Sequence, residues 1–143
     1  MSESGIDVLR DQFAAVNERD FPRAMGHYAD DVVLIITELA RVPNPGIYEG
    51  KQAVGEWFGD WFRAFAPDYR FEITEARELG DDVIFMSAEH RGKGRASGAE
   101  VHQENAYLYR VSGGKITRVQ LFADKAGALE AASLPEWSGG QTD

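Results

Sequence analysis

Histidine is the side chain best suited to moving a proton near neutral pH, and this sequence has three. Two of them, His90 and His102, fall in segments that read as one hairpin. A turn about Ala96-Ser97 sets His90 opposite Gln103, Ala88 opposite Asn105 and Met86 opposite Tyr107, all on one side of the ladder. On that side an imidazole can exchange a proton, a phenol can donate to an oxyanion, and an amide can orient a ligand. The opposite side carries Glu89, Arg91, His102 and Glu104, a charged group suited to solvent or a partner subunit. One residue of slip, or a bulge in the glycine-rich tip from Gly92 to Gly98, exchanges the two faces.

Other chemistry is harder to build from these residues. Glu89 and Glu104 beside Arg91 read as an exposed salt-bridge cluster rather than a carboxylate pair for acid–base work. Gly92-x-Gly94 has no following helix to present its N-terminus to a phosphate. Arg91, Lys93 and Arg95 make a basic but solvated tip. No HxxxE or paired-histidine spacing occurs on one element, so no metal is expected. Cysteine is absent, which removes disulfides, thiolate metal sites and a cysteine nucleophile, and fits a reducing compartment. The net charge of -9 argues against nucleic acid or an anionic membrane as partner. Met1 to Arg10 lacks the apolar centre of a signal peptide, and Val32 to Ile36 is too short to span a bilayer. A cytoplasmic protein is the expectation.

The elements that must position these groups can be read from periodicity. Ile6, Leu9, Phe13 and Val16 draw one apolar stripe along a helix. Asp20 and Pro22 open a short second helix that carries Met25 and Tyr28 on one side. The β-branched run Val32 to Thr37 reads as a strand buried on both faces. Glu38 to Glu49 holds two prolines and a glycine and reads as a mobile rim. A third helix from Lys51 carries Trp57, Phe58, Trp61, Phe62 and Phe65, an aromatic face wide enough to lie deep in the core. Trp57, Phe58, Trp61 and Tyr28 are mostly core residues, of which some line a cavity. After Pro67 the period becomes two, with strands at Phe71, Val83–Arg91, Val101–Val111 and Ile116–Ala123. Lys125 to Ala132 reads as a short helix, and 133–143 as a loose tail unless Leu134 and Trp137 dock. Residues 1–132 thus form a single α+β domain: three helices packed on one strongly curved antiparallel sheet, rolled into a cone with an apolar pocket.

Several local strings resemble the nuclear transport factor 2-like superfamily, and within it the SnoaL-like and ketosteroid-isomerase-like proteins, which share a cystatin-like roll. They are Asn17-Glu18-Arg19-Asp20, Tyr28-Ala29-Asp30-Asp31-Val32, Tyr48-Glu49-Gly50-Lys51-Gln52-Ala53-Val54 and Tyr109-Arg110-Val111-Ser112-Gly113-Gly114-Lys115-Ile116. Members include isomerases, cyclases, dehydratases, epoxide hydrolases and non-catalytic binding modules, so the fold does not choose the function. The resemblance puts Tyr107 on the pocket side, and with it His90, Gln103, Asn105 and Met86. Ketosteroid isomerases use an aspartate base against a tyrosine and a protonated aspartic acid. Those positions fall here on Ile36, on Gln12, and on Tyr107 or Ala106. The aspartate that SnoaL-like cyclases place in the last strand falls on Leu121 or Gln120.

The resemblance therefore implies a pocket without the usual acids. Its catalytic candidates are His90, Tyr107 and Asn105, and its ligand-binding candidates are Gln12, Tyr28, Ile36, Trp57, Phe58, Trp61, Met86, Gln103 and Leu121. Two functions stay open. One is cofactor-free proton transfer on a small apolar carbonyl or hydroxyl compound, as in an isomerase, cyclase or dehydratase. The other is a non-catalytic ligand-binding or dimerisation module. A homodimer through the outer sheet face is also expected, because Ala106 and Leu108, with Phe122 if the last hairpin is bulged, would otherwise leave an apolar patch uncovered.

Overall fold

The computed structural model describes residues 5–37, 45–64, 68–80, 82–94 and 97–138. Within these the chain forms helix α1 (Gly5–Asn17), helix α2 (Phe21–Met25), strand β1 (Tyr28–Ile36), strand β2 (Gly46–Glu49) and helix α3 (Lys51–Ala64). Strands β3 (Arg70–Gly80), β4 (Val83–Lys93), β5 (Glu100–Ser112) and β6 (Lys115–Phe122) come next, then helices α4 (Lys125–Ala132) and α5 (Pro135–Ser138). The six strands make one sheet in the order β2-β1-β6-β5-β4-β3.

The helical stripe expected in α1 is present: Leu9, Phe13 and Val16 are buried, and Val8, Gln12 and Ala15 widen the face. Asp20 caps α2 by accepting from the Arg23 amide at 3.3 Å. Asp11 ties α1 to the α2–β1 segment, accepting from Arg23 at 2.7 Å and meeting the His27 ring at 2.6 Å. Arg23 and His27 hold the Asp11 carboxyl down to a pKa of about 2. Gly113 and Gly114, with φ of 60° and 79°, supply the two left-handed residues that a tight β5–β6 turn needs.

Three features differ from the sequence reading. The sheet is mixed, because β6 returns beside β1 in parallel while every other pair is antiparallel. The chain leaves β1 on the edge side, through β2 and α3, and closes on it only after the four-strand meander. Secondly, β1 alternates rather than being buried on both faces: Val32, Leu34 and Ile36 are buried, whereas Val33 and Ile35 are half-buried. Thirdly, the helices occupy both faces of the sheet. Helices α1 and α3 pack with the inward side chains of the strands in the main core. A second core on the opposite face joins Val83, Phe85, Ala106, Leu108 and Phe122 to Ala128 of α4 and to Trp137.

That second core removes the reason for expecting a dimer there. Ala106, Leu108 and Phe122 do share the outer face, and a register shift between Arg110 and Val111 brings Phe122 to it. Their cover, however, comes from the same chain. Trp137 is fully buried, its indole donates to Gln120 Oε1 at 3.0 Å, and Arg110 and Arg118 stack over its ring. Trp137 thus docks within α5, while 139–143 lie outside the described residues. Most of the Glu38–Glu49 rim, residues 38–44, also lies outside them. No helix among the described residues is long and apolar enough to cross a membrane.

Candidate functional site

The β4–β5 ladder has the register expected for a turn about Ala96-Ser97, without the one-residue slip: His90 pairs with Gln103, Ala88 with Asn105, and Met86 with Tyr107. All of these point to the side occupied by α1 and α3, since Met86, Ala88, Tyr107 and Tyr109 belong to the main core. At the centre of that core is a cavity of about 30 Å³, room for about two water molecules. Helix α1 contributes Gln12, Phe13 and Val16 to its wall, and α3 contributes Phe58 and Trp61. The sheet supplies Tyr28, Phe71, Tyr107, Tyr109, Val119 and Leu121.

Every polar group on this wall is neutral. Gln12 is only 3% exposed, and no described residue bonds its amide. Burial raises the pKa of Tyr28, Tyr107 and Tyr109, so all three phenols keep their protons at neutral pH. No hydrogen bond joins the Tyr28 or Tyr109 hydroxyl to another described residue, whereas Tyr107 meets His90 Nε2 at 2.8 Å. The cavity is therefore an aromatic chamber with an amide and phenols left to serve whatever occupies it.

His90 lies behind this wall rather than on it. Its ring is fully buried among Phe71, Trp61, Tyr69 and Tyr107, with centroids 4.7 Å from Phe71 and 5.4 Å from Trp61. Nδ1 meets the Tyr69 hydroxyl at 3.2 Å, and Nε2 meets Tyr107. Burial without a counter-charge lowers its pKa to about 4, so the imidazole is neutral at physiological pH.

Several expected site residues serve the framework instead. Asn105 is fully buried, donates to the Phe122 carbonyl at 2.9 Å and accepts from Gln103 at 2.7 Å. Its amide thus holds the end of β6, and neither it nor Gln103 is on the cavity wall. Ile36, Trp57 and Met86 are buried in the same core but do not line the cavity. Gln12, Tyr28, Phe58, Trp61, Tyr107 and Leu121 do converge on it.

Sequence reasoning misses Tyr69 because it precedes β3, yet it lies two residues before Phe71 and four before Ile73. Extending that alternation backwards places it on the inner face. Its position is secured by the string that closes α1. Arg19, at φ 62°, donates to the Tyr69 carbonyl at 2.5 Å and stacks over Phe62. Asn17 binds both backbone groups of Phe71, at 2.8 and 2.9 Å, as another strand would. Gly92 leaves the space: a Cβ there would sit 2.6 Å from Tyr69 Cα.

The chain matches the SnoaL-like domain over residues 9–119 and belongs to that family. No protein of curated function matches it in sequence. Among solved structures, a Xanthomonas campestris protein of unknown function with a cystatin-like fold is 21% identical at a TM-score of 0.73, covering 87% of this chain and 94% of its own. A Catenulispora acidiphila protein with a ketosteroid isomerase-like fold, in complex with trimethylamine, is 18% identical at 0.69, covering 92% and 96%. A Mycobacterium tuberculosis protein in complex with estradiol-17β-hemisuccinate is 21% identical at 0.70, covering 87% and 97%. At these identities the likeness is one of fold.

Proposed function

We propose that this chain binds a small, uncharged, largely apolar molecule with one polar end, held in the chamber between α1, α3 and the sheet. The observation that carries the reading is the wall itself: apolar and aromatic side chains surround Gln12 and Tyr107, with no charged group among the described lining residues. An ion entering such a site loses several kcal/mol of hydration with no counter-charge to offset it. An apolar body gains roughly 25 cal/mol per Å² buried. A buried amide left without a partner costs about 1–3 kcal/mol, which a ligand oxygen or hydroxyl at Gln12 recovers. The volume favours a compact ligand, and a larger one must displace rings, of which Phe58 is the half-buried member. The ligands named for the two fold neighbours support a small-molecule pocket in this architecture.

Cofactor-free proton transfer is the second reading, favoured by the 2.8 Å contact between His90 and Tyr107. On this reading Tyr107 touches the substrate and His90 acts through it.

A thermal-shift panel tests the main reading. Small cyclic ketones and alcohols should raise the melting temperature, and Tyr107→Phe should weaken them two- to tenfold, the loss of one hydrogen bond of roughly 1 kcal/mol. Stabilisation by phosphorylated or polyanionic metabolites, or by tetramethylammonium in preference to neutral ketones, would contradict it.

A further inference from the structure

Resting on the ligand pocket just proposed, we infer that its ligand carries a second neutral oxygen, met by a subsite that the Tyr28 and Tyr109 hydroxyls form apart from Tyr107.

The buried polar side chains of this core fall into two kinds. The Tyr69 and Tyr107 hydroxyls bond His90 at 3.2 and 2.8 Å, and Asn105 donates to the Phe122 carbonyl at 2.9 Å. Each of these has a structural duty. Tyr28 and Tyr109 have none of that sort: both are at most 3% exposed, both line the cavity, and neither hydroxyl bonds a described residue. Neither hydroxyl is among the fully enclosed unbonded polar atoms of the core, so each reaches accessible space. The cavity is the space that both side chains line. Phe13, Phe58 and Phe71 fill neighbouring places on the same wall without a hydroxyl. A phenol sealed from solvent with nothing to bond opposes folding, whereas a phenylalanine in its place would not. The two hydroxyls are therefore groups whose partner enters from the cavity.

The strand register separates them from the first polar pole. Tyr107 pairs with Leu121 on β6, Tyr109 with Val119, and Tyr28 with Ile116. The three phenols thus run in that order along β6 towards the β5–β6 turn. The Tyr107 and Tyr109 rings are nearly parallel, at 15°, with centroids 5.8 Å apart. Two residues apart on one face of a strand, they hold their hydroxyls at a similar spacing. One oxygen bonded to both at the usual length of about 2.8 Å cannot bridge that gap. A ligand oxygen at Tyr107 therefore leaves Tyr109 and Tyr28 to a different atom, beside the Phe58 ring that lies 6.1 Å from Tyr28. That atom is uncharged, because burial keeps both phenols protonated and no described lining residue carries a charge. A hydroxyl suits it best, since it both donates and accepts, and two phenols answer both roles. The ligand class is a compact hydroxyketone or diol whose oxygens lie across its apolar body rather than side by side.

NMR titration with cyclohexanone, 4-hydroxycyclohexanone and 2-hydroxycyclohexanone tests this. The 4-hydroxyl lies across the ring from the carbonyl, and the 2-hydroxyl beside it. Wild type should bind the 4-hydroxy compound roughly three- to tenfold more tightly than cyclohexanone, the range of one neutral hydrogen bond, with no such gain for the 2-hydroxy isomer. In the double variant Tyr28→Phe with Tyr109→Phe, the ratio of 4-hydroxycyclohexanone to cyclohexanone affinity should fall to one or below. A hydroxyl set against an apolar wall loses its hydration for nothing. The variant should also melt no lower than wild type, because the hydroxyls it loses bond no described residue. A gain retained in the variant, a gain shared by the 2-hydroxy isomer, or a variant that no longer folds would overturn the inference. If cyclohexanone binds and the 4-hydroxyl adds nothing, the second subsite falls and the pocket stands. If no probe binds, both fall.

Discussion

Replacing His90 by phenylalanine should flatten the acid side of the stability profile. Phenylalanine suits the aromatic box that holds this ring, so the substitution removes the titrating group with little change of volume. The direction comes from linkage. In the native state the His90 pKa lies near 4, whereas an unfolded histidine titrates near 6.5. The unfolded chain therefore binds a proton first as the pH falls, and stability is lost from about pH 6.5 down to about pH 4. Each pH unit in that window costs about 1.4 kcal/mol, so the loss between pH 7 and 4.5 is about 2.5 kcal/mol from this one group. Below pH 4 the native ring also charges and the effect levels off. Asp11, held down to about 2, loses its contribution only below the usual carboxylate range near 4, and so falls outside the window. Urea unfolding at half-unit pH steps would measure the difference between wild type and His90→Phe. His27 and His102 are common to both proteins and cancel. At pH 7 the variant should be less stable, because it leaves the Tyr69 and Tyr107 hydroxyls without their imidazole partner. The gap between the two curves should narrow by about 2.5 kcal/mol between pH 7 and 4.5. Parallel curves would refute the burial of a neutral His90.

Two further substitutions test the framework. Trp137→Ala should cost about 3–5 kcal/mol, the range for truncating a fully buried large aromatic, and should expose Leu108 and Phe122. Urea denaturation reads the first effect and light scattering the second, as concentration-dependent association; wild-type stability would mean that the tail does not dock. Gly92→Ala drives a Cβ to 2.6 Å from the Tyr69 backbone and should destabilise by about 1–3 kcal/mol through the strain of overpacking. Its His90 nitrogen-15 signals should shift as Tyr69 is displaced, and unchanged signals with unchanged melting would contradict the close approach.

Much of this site is legible in the sequence. Two-residue periodicity with a turn about Ala96-Ser97 matches the observed β4–β5 register, and the family resemblance supplies the side on which His90, Asn105 and Tyr107 lie. Helical spacing in α3 names Phe58 and Trp61 by the same logic, whereas Gln12 comes from the family resemblance alone. What periodicity cannot supply is depth. His90 and Tyr107 share a face, yet one lies behind the wall and the other on it, a distinction that depends on where Trp61 and Phe71 arrive from other elements. Asn105 is likewise on the expected face, but its amide is engaged by the Phe122 carbonyl across the sheet. The parallel β1–β6 pairing and the docking of Trp137 are contacts between distant segments, and no local pattern in either partner announces them.

The central claim is that a neutral ligand enters the chamber and meets the Tyr107 hydroxyl. A crystal of the wild-type protein soaked with cyclopentanone at neutral pH tests it most directly. The predicted result is density for the ketone between Gln12, Phe58 and Tyr107, with its oxygen within hydrogen-bond distance of the Tyr107 hydroxyl and His90 still bonded behind it. A chamber holding only water, with the ketone bound elsewhere or nowhere, would contradict the claim.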